Sequence, residues 1–318
     1  MLFSRWKSHI DIRSPVAERS RNPFDQDPTQ DVLTAHLKGP WHRKIPDYLR
    51  ANNVRGLQLG FRDGFRCNDP ACLSELPFIT WFSLPHETPD GDFERPQVEQ
   101  LSGLKHLNAM GRAWQSIDFT AFPDLVSCHL QFQPNLRSIF TAQSLRLLKI
   151  YGLKKDAAEH LAALATLENL ELAHSGIRNL APLQGMDHLE RLSLNVCRHL
   201  ENFDNLESLQ SLQCLHISEV NCLRDLEKIA SLRNLEVLNL TDVGEIASLE
   251  PLGALKNLKA LWVAGRNTQI VDGDLSVLTE LPKLAMLTLV PNRHYSHRAI
   301  KKWSWANFEN PTTQVERV

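Results

Sequence analysis

Hydrophobic residues recur along the chain in a ladder of three wide steps followed by one narrow step. One copy of the ladder comprises Ile229, Leu232, Leu235, Leu238 and Leu240. Steps of three suit a helical or 3₁₀ turn, whereas a step of two places both side chains on one face of a β-strand. The copy therefore predicts a short return segment that runs into a strand, with all five side chains in one core.

The ladder occurs eleven times between residues 48 and 292. Copies between 161 and 289 are strong, and those upstream weaken as far as the faintest, which runs from Tyr48 to Leu59. The last ladder residues lie at positions 59, 84, 109, 130, 150, 172, 194, 217, 240, 263 and 289. Because one copy cannot bury its apolar residues alone, neighbouring copies are expected to stack and to align their strands in a parallel sheet.

The spacing of 20–26 residues and the LxxLxL core resemble the leucine-rich-repeat (LRR) family, most closely its short bacterial and phosphatase-regulator-like types. The resemblance implies an α/β fold, a leucine-rich-repeat solenoid of about eleven repeats over residues 48–292. It implies a right-handed β-α superhelix with a curved parallel sheet on the concave face and 3₁₀ or short helices on the convex face. Residues 1–47 are then an N-terminal lead and capping region, and residues 293–318 a C-terminal cap.

Local composition adds two helices and a closing cluster to this prediction. Alanine-rich sequence predicts a true helix near 156–165, and residues 28–50 are expected to contain a short capping helix. The apolar residues expected to close the far edge are Tyr295, Ile300, Trp303, Trp305 and Phe308.

The turn after each strand departs from the family pattern. The family places Asn, or sometimes Cys, three residues after the second strand leucine, where its side chain bonds the backbone. In this sequence only Cys197 and Asn292 match, and Val243 occupies the position in the 229–240 copy. Buried backbone groups need hydrogen-bond partners, so we expect other groups to hold these turns.

Residues that flank the inner strand leucines are predicted to face the concave surface. Aromatic residues and arginine carry much of the energy of protein interfaces. Large exposed tryptophans indicate a partner unless caps or loops cover them. The predicted partner-binding residues are Trp81, His106, His129, Lys149, Tyr151, Glu171, Arg191, His216, Asn239 and Trp262.

Composition limits the partners and the location. The formal net charge of -2 argues against binding of nucleic acid, which needs a basic surplus. No apolar run approaches the ~20 residues of a membrane span, and the N-terminus lacks an apolar signal-peptide core. Six scattered cysteines form no disulfide framework. We therefore expect a cytoplasmic monomer with a protein partner, although export without a classical signal stays open.

The sequence contains no phosphate loop, nucleophile elbow or zinc helix motif, so we expect neither catalysis nor a cofactor. His106 and His129 fall on adjacent predicted strands, but a metal site needs a further ligand, and solvated histidines are favoured. Cys67 and Cys72 form a C-x4-C pair without a second pair, which favours free thiols in a loop. Cys214 is placed on the concave face, where a reactive thiol stays open.

These observations favour a non-catalytic protein-binding scaffold that recognises a protein partner on its concave sheet. A sharper hypothesis is an inhibitor or immunity protein that plugs a toxin or enzyme, as the ribonuclease-inhibitor members of the family do. The alternatives are a delivered bacterial effector and a receptor for a peptide or carbohydrate ligand that stacks on tryptophan.

Overall fold

A computed structural model describes residues 6–13, 32–61, 63–67, 69–83, 97–110, 116–290 and 292–296. The chain divides into two compact units. The first comprises residues 1–19 and 27–151, and the second comprises residues 20–26 and 152–318. Four of the residues predicted to close the far edge lie outside the described residues, namely Ile300, Trp303, Trp305 and Phe308.

The described part of the first unit contains seven strands, named β1 to β7. They are Ile10–Arg13 (β1), Thr34–Leu37 (β2), Gly56–Leu59 (β3), Trp81–Ser83 (β4), His106–Ala109 (β5), Ser127–Gln131 (β6) and Leu147–Tyr151 (β7). β1 pairs with β2 in the antiparallel sense, and the later neighbours pair in parallel. Its helices are Ile45–Ala51 (α1) and the 3₁₀ segments Lys7–His9, Pro70–Glu75, Val98–Gln100, Phe119–Ala121 and Pro134–Thr141.

The described part of the second unit contains eight strands. They are Asn169–Ala173 (β8), Arg191–Asn195 (β9), Cys214–Ser218 (β10), Val237–Thr241 (β11), Glu245–Ile246 (β12), Ala260–Ala264 (β13), Gln269–Ile270 (β14) and Met286–Leu289 (β15). β8, β9, β10, β11, β13 and β15 pair in parallel in that order, while β12 and β14 form a separate pair. The helices are Lys155–Ala158 (α2), Glu227–Ala230 (α3) and the 3₁₀ segments Glu159–Ala163, Ala181–Leu183, Leu206–Ser208, Glu250–Ala254 and Ser276–Glu280.

Ten of the eleven ladder copies end in one of these strands, which confirms the predicted α/β architecture of parallel strands and short return helices. The remaining copy enters β4 at Phe82, and its last residue, Leu84, lies outside the described residues. In the 229–240 copy all five ladder residues are fully buried. The register keeps equivalent leucines side by side, so that Leu238 lies between Leu215 and Leu261 on the neighbouring strands. The ladder residues of successive copies therefore share one core within each unit.

The prediction from the faintest copy, which runs from Tyr48 to Leu59, is wrong in its return segment. Tyr48 is half-buried and Ala51 is exposed, whereas α1 buries Ile45 and Leu49. Residues four apart lie on one face of an α-helix, so this helix does not follow the three-residue steps of the other copies.

Strand β2 was not predicted, although it continues the sheet before the first ladder copy. Its inner residues Ala35 and Leu37 are buried and lie in register with Leu57 and Leu59 of β3. Before β2 the apolar pattern reaches back only one step of three, from Ala35 to Val32, because Thr29 and Gln26 occupy the two earlier ladder positions.

The helix predicted near 156–165 is α-helical over α2 alone and continues as the 3₁₀ segment Glu159–Ala163. Hydrogen bonds in a 3₁₀ helix join residues three apart. The N–H of Leu164 accordingly donates to the carbonyl of Leu161 at 2.9 Å. The prediction was right about the position and wrong about the helix type of the second half.

Backbone hydrogen bonds hold the turns at which the family would place asparagine. In the second unit, the second residue after the inner strand pair has left-handed backbone, and its N–H donates to a carbonyl of the next repeat at 2.9–3.0 Å. These residues are His174, Val196, Glu219 and Asp242, with φ between 50° and 54°. At Val243 the buried N–H instead donates to Oγ1 of Thr268, at 3.1 Å.

A ladder of side-chain hydrogen bonds holds the opposite edge of the same strands. The side chain just before the third ladder leucine donates to a carbonyl of the preceding repeat. The donors are Ser211 to Asp187 at 2.6 Å, Asn234 to Gln210 at 2.9 Å and Asn257 to Arg233 at 3.0 Å. Both ends of these strands are therefore fixed, so the side chains between them project from a rigid surface.

Candidate functional site

The ten candidate residues lie on one face of the sheet in each unit, which we name the open face. It carries the side chains that alternate with the ladder residues. In β8 and β9 burial alternates residue by residue, with the leucines buried and the residues between them half-buried. The open face is thus fixed by the period-two geometry of each strand.

In the first unit, Trp81 and His106 are neighbours across β4 and β5. A β-carbon on Gly56 of β3 would lie 3.2 Å from the Trp81 ring, so the glycine makes room for the indole. His106 Nδ1 lies 3.0 Å from Oγ of Ser127 on β6, which orients the imidazole. Trp81 and His106 therefore form one column on the open face.

The remaining first-unit candidates belong to other columns. His129 neighbours Lys149 across β6 and β7, and Tyr151 at the end of β7 is 36% exposed. His106 pairs with Ser127 rather than with His129. Among the described residues, no three His, Cys, Asp or Glu side chains are grouped in a way that would hold a metal ion.

In the second unit, the two charged candidates are bound to neighbouring side chains. Arg191 Nη1 donates to Oδ1 of Asn169 at 3.1 Å and lies 3.5 Å from Oε2 of Glu190. Glu171 accepts a hydrogen bond from Nδ2 of Asn195 at 3.2 Å. The charge of Arg191 is therefore partly neutralised by Glu190, and both candidate side chains are held in place by neighbouring amides before any partner arrives.

Next to Arg191, four apolar side chains from successive strands line up on the open face. They are Cys214, Val237, Ala260 and Met286, and we name them the apolar column. Their exposed fractions are between 0% and 5%, and the half-buried Trp262 packs against them. Trp262 is thus a large aromatic side chain anchored on an apolar base.

The apolar column belongs to a wider surface without formal charge, which we name the uncharged patch. The patch takes the outward positions of β10, β11, β13 and β15 together with the residue after β15. It comprises Cys214, His216, Ser218, Val237, Asn239, Thr241, Ala260, Trp262, Ala264, Met286, Thr288 and Val290. The sequence predicted His216, Asn239 and Trp262 as partner contacts, which stays a prediction, but it gave no sign that their neighbours form one apolar base.

Two polar residues at the centre of the patch are restrained by burial and hydrogen bonding. Burial lowers the pKa of His216 to about 4, so its imidazole is neutral at physiological pH. Asn239 Oδ1 accepts a hydrogen bond from the Thr241 hydroxyl at 2.7 Å. The patch therefore presents fixed dipoles and no titrating charge near pH 7.

Charged residues flank the uncharged patch at both strand ends. Before β11 and β13, Glu236 and Lys259 form an ion pair of 2.7 Å. Beyond β10 and β11 lie Glu219, which is exposed, and Asp242, which is half-buried. An apolar centre with a polar, charged surround is the usual anatomy of a protein interface.

The cysteines show no activated thiol among the described residues. Burial raises the pKa of Cys214 to about 11, which leaves the thiol protonated and unreactive despite the nearby Arg191. Burial likewise raises the pKa of Cys72, while Cys67 donates to the carbonyl of Asp69 at 2.9 Å. All six cysteines are free. The possibility of a reactive Cys214 is therefore not supported.

Solved structures with the same architecture identify the fold. An internalin from Listeria monocytogenes aligns with a TM-score of 0.58 and 17% identity over 80% of this chain and 75% of its own. Internalin C2 from the same species aligns with a TM-score of 0.50 and 23% identity over 63% and 87% of the two chains. These proteins are leucine-rich-repeat proteins. This chain has the leucine-rich-repeat fold.

At these identities the likeness defines the leucine-rich-repeat fold and leaves the function to the site. No protein-family model and no curated protein matches the chain. No helix in the described ranges has both the length and the apolar character that crossing a bilayer requires.

Proposed function

We propose that this leucine-rich-repeat protein is a non-catalytic scaffold that binds a protein partner on the open face of its second unit. The observation that carries the proposal is the uncharged patch, in which Trp262 stands on the apolar column between charged strand ends. Interface centres are depleted in charge and enriched in tryptophan, and such residues dominate the binding energy.

The chemistry of the patch supports a protein over the other ligand classes. A nucleic acid would need several unpaired cations, whereas Arg191 is already bonded to Asn169 and Glu190. A carbohydrate that stacks on tryptophan would need an open ring face, whereas Trp262 is half-buried and packs against the apolar column. A delivered effector or a peptide receptor would use the same face, so these alternatives differ in location rather than in contact chemistry.

Inhibition of a partner enzyme or toxin is the sharper form of this proposal. The strands beneath the patch are fixed at both ends, and a preorganised surface loses little conformational entropy on binding. Tight inhibitors need such a surface. We place this activity in the cytoplasm in a monomeric protein, which fits the six free thiols.

The test is capture of the partner from the native host by the tagged full chain, followed by mass spectrometry. Trp262→Ala is expected to weaken binding of the captured protein at least about tenfold, and Asn239→Arg to do the same by placing a charge in the interface. The matched control is Val271→Ala, which shortens an apolar side chain that is 52% exposed and lies after β14, off the open face.

Both patch variants are expected to keep the melting temperature within a few degrees of the wild type, since they alter half-buried positions. Binding that survives both substitutions would place the contact elsewhere and refute the proposal.

A further inference from the structure

Two of the six cysteines are in contact with each other in the first unit. Cys67 lies between β3 and the 3₁₀ segment Pro70–Glu75, and Cys72 lies within that segment. Burial raises the pKa of Cys72, and a side-chain hydrogen bond with Cys67 raises it further. The two thiols therefore meet through their side chains and are more than neighbours in the sequence.

A single residue between the two cysteines brings them together. The Asp69 carbonyl oxygen accepts a hydrogen bond from the Cys67 thiol at 2.9 Å and another from the N–H of Cys72 at 3.0 Å. The Asp69 carboxylate accepts from the N–H of Ala71 at 2.9 Å, which caps the start of the 3₁₀ segment. Because both cysteines are bonded to the same carbonyl group, their contact is built into the local backbone.

The residue before Cys67 fixes the backbone from which that side chain extends. The Arg66 carbonyl accepts from the N–H of Trp41 at 2.7 Å. The Arg66 guanidinium donates from Nη1 to the carbonyls of Phe61 and Phe65 at 2.9 Å and 2.6 Å. Phe61 and Phe65 are both buried, and their rings pack edge to face. The Cys67 sulfur is therefore restricted to a small range of positions beside Cys72.

The two thiols differ in their access to dissolved reagents. Cys67 is half-buried, whereas Cys72 is 3% exposed. Thiol–disulfide exchange requires one sulfur that an incoming disulfide can reach and a second sulfur that can attack the mixed disulfide. Because a disulfide bond is about 2.05 Å long, two thiols in hydrogen-bond contact need only a short approach to form one. Cys67 and Cys72 meet both requirements.

We propose that Cys67 and Cys72 are a redox-active pair that forms a reversible disulfide by exchange with a low-molecular-weight disulfide. The Cys67 thiolate attacks one sulfur of the reagent, so the reagent's S–S bond breaks and its first half leaves as a thiolate. The Cys72 sulfur gives its proton to solvent and attacks the Cys67 sulfur, which releases the second half. The two released thiolates take up two protons, so the reagent is reduced to two thiols and the protein loses two electrons.

The second unit provides thiols for comparison. Cys197 is fully buried, and its thiol lies 3.5 Å from the Leu172 carbonyl and 3.6 Å from the Asn195 carbonyl, to which it donates. Burial raises the pKa of Cys197 to about 11. Cys222 is half-buried in the next repeat. We expect Cys222 to stop at the mixed disulfide, because the neighbouring Cys197 thiol is bonded to backbone acceptors.

The pair lies in the first unit, whereas the proposed interface lies in the second, so this proposal does not depend on the proposed function. Its test therefore needs no binding partner. In a reducing compartment both cysteines would be thiols, and the disulfide would form when the balance of small thiols and disulfides becomes more oxidising.

Equilibration of the purified full chain with glutathione and glutathione disulfide tests the proposal. After acid quenching and alkylation, trypsin cleaves after Arg66, and the peptide that begins at Cys67 contains Cys72 and none of the other four cysteines. Mass spectrometry of this peptide measures the ratio of disulfide to dithiol. The ratio is expected to be at least about tenfold higher in the folded chain than in urea in the same glutathione buffer, because the fold raises the effective concentration of one thiol at the other.

Three variants assign the reaction to the two sulfurs. Cys72→Ala should stop at a mixed disulfide of Cys67 with glutathione, and Cys67→Ser should leave Cys72 reduced, because Cys72 is buried. The matched control Cys222→Ser removes a half-buried thiol of the second unit and should leave the ratio unchanged.

The comparison of folded and unfolded wild-type chain keeps the test valid even where a variant fails to fold. Equal ratios in the two states would overturn the proposal, because the fold would then contribute nothing to the pairing. Accumulation of the Cys67 mixed disulfide in the folded wild type would overturn it as well, since Cys72 would then be unable to attack.

Discussion

Val196 shows how the turns of the second unit hold the open face at the scale of a single residue. Its N–H donates to the carbonyl of Ser218 at 2.9 Å, which requires the left-handed backbone with φ of 54°. A β-branched side chain in that conformation is strained. The hydrogen bond between repeats is therefore maintained against a local conformational penalty.

Replacement of this residue should relieve the penalty. Left-handed backbone costs about 1–2 kcal/mol for an ordinary L-residue, and asparagine tolerates it best after glycine. Val196→Asn is therefore expected to raise the free energy of unfolding by about 1 kcal/mol, measured by urea denaturation. Val196→Ala is the control, because it keeps a β-carbon without the compensation of asparagine. An unchanged or lower stability in Val196→Asn would show that the valine methyl groups contribute more than the strain.

His216 gives the stability of the protein a dependence on pH. Its folded-state pKa is about 4, well below the ordinary 6.5, so between these values the unfolded chain binds a proton that the folded chain does not. Stability is then present above pH 6.5 and declines as the pH falls towards 4. His36, whose pKa burial also lowers, contributes in the same direction.

Comparison with the variant His216→Gln separates the contribution of His216 to this pH dependence from that of His36. The urea midpoint of the variant should fall less than that of the wild type between about pH 6.5 and about pH 4, because glutamine does not titrate. The difference between the two curves reports His216 alone. Parallel curves would mean that His216 binds a proton as readily in the folded protein as in the unfolded chain.

At the scale of elements, the ladder predicted the strands correctly where its steps are regular. It predicted the wrong buried residues in the return segment that forms the α-helix α1. Positions in β8 to β11 followed from the period of two, so Arg191, His216 and Asn239 were placed on the correct face. The return segment of α1 was misplaced because residues four apart are buried there. The apolar column was missed because its burial depends on packing between distant repeats, which no local pattern encodes.

The position of a ladder residue in the stack should set its contribution to stability. Leu238 is fully buried between strands on both sides, whereas Leu289 lies in the last strand and is half-buried. Leu238→Ala is expected to lower the free energy of unfolding by about 2–5 kcal/mol, the usual range for a fully packed leucine. Leu289→Ala should lower it by about half as much or less, because less apolar area is lost from the core. Equal losses in urea denaturation would indicate that Leu289 is covered in solution.

At the scale of the whole molecule, charge is ordinary in amount and unusual in placement. The net charge is -2, with 35 basic and 37 acidic residues, yet none of these lies in the uncharged patch. Total composition gave no sign of this arrangement, since it appears only when the strands align their outward positions. The proposed interface would therefore combine an apolar centre with little long-range electrostatic attraction.

The salt dependence of partner binding tests this arrangement directly. Raising the salt concentration from about 0.05 M to about 0.5 M shortens the Debye length and weakens attraction between exposed charges. Because the patch is uncharged, the affinity for the captured partner should change by less than about threefold, whereas a complex built on several ion pairs or phosphate contacts would weaken by orders of magnitude. Isothermal titration calorimetry at both concentrations measures the effect.

Asn239→Arg is the internal comparison, because the residual binding of that variant should become salt-dependent if position 239 lies inside the interface. A steep salt dependence in the wild type would shift the contact to the charged strand ends, where Glu236 and Lys259 lie.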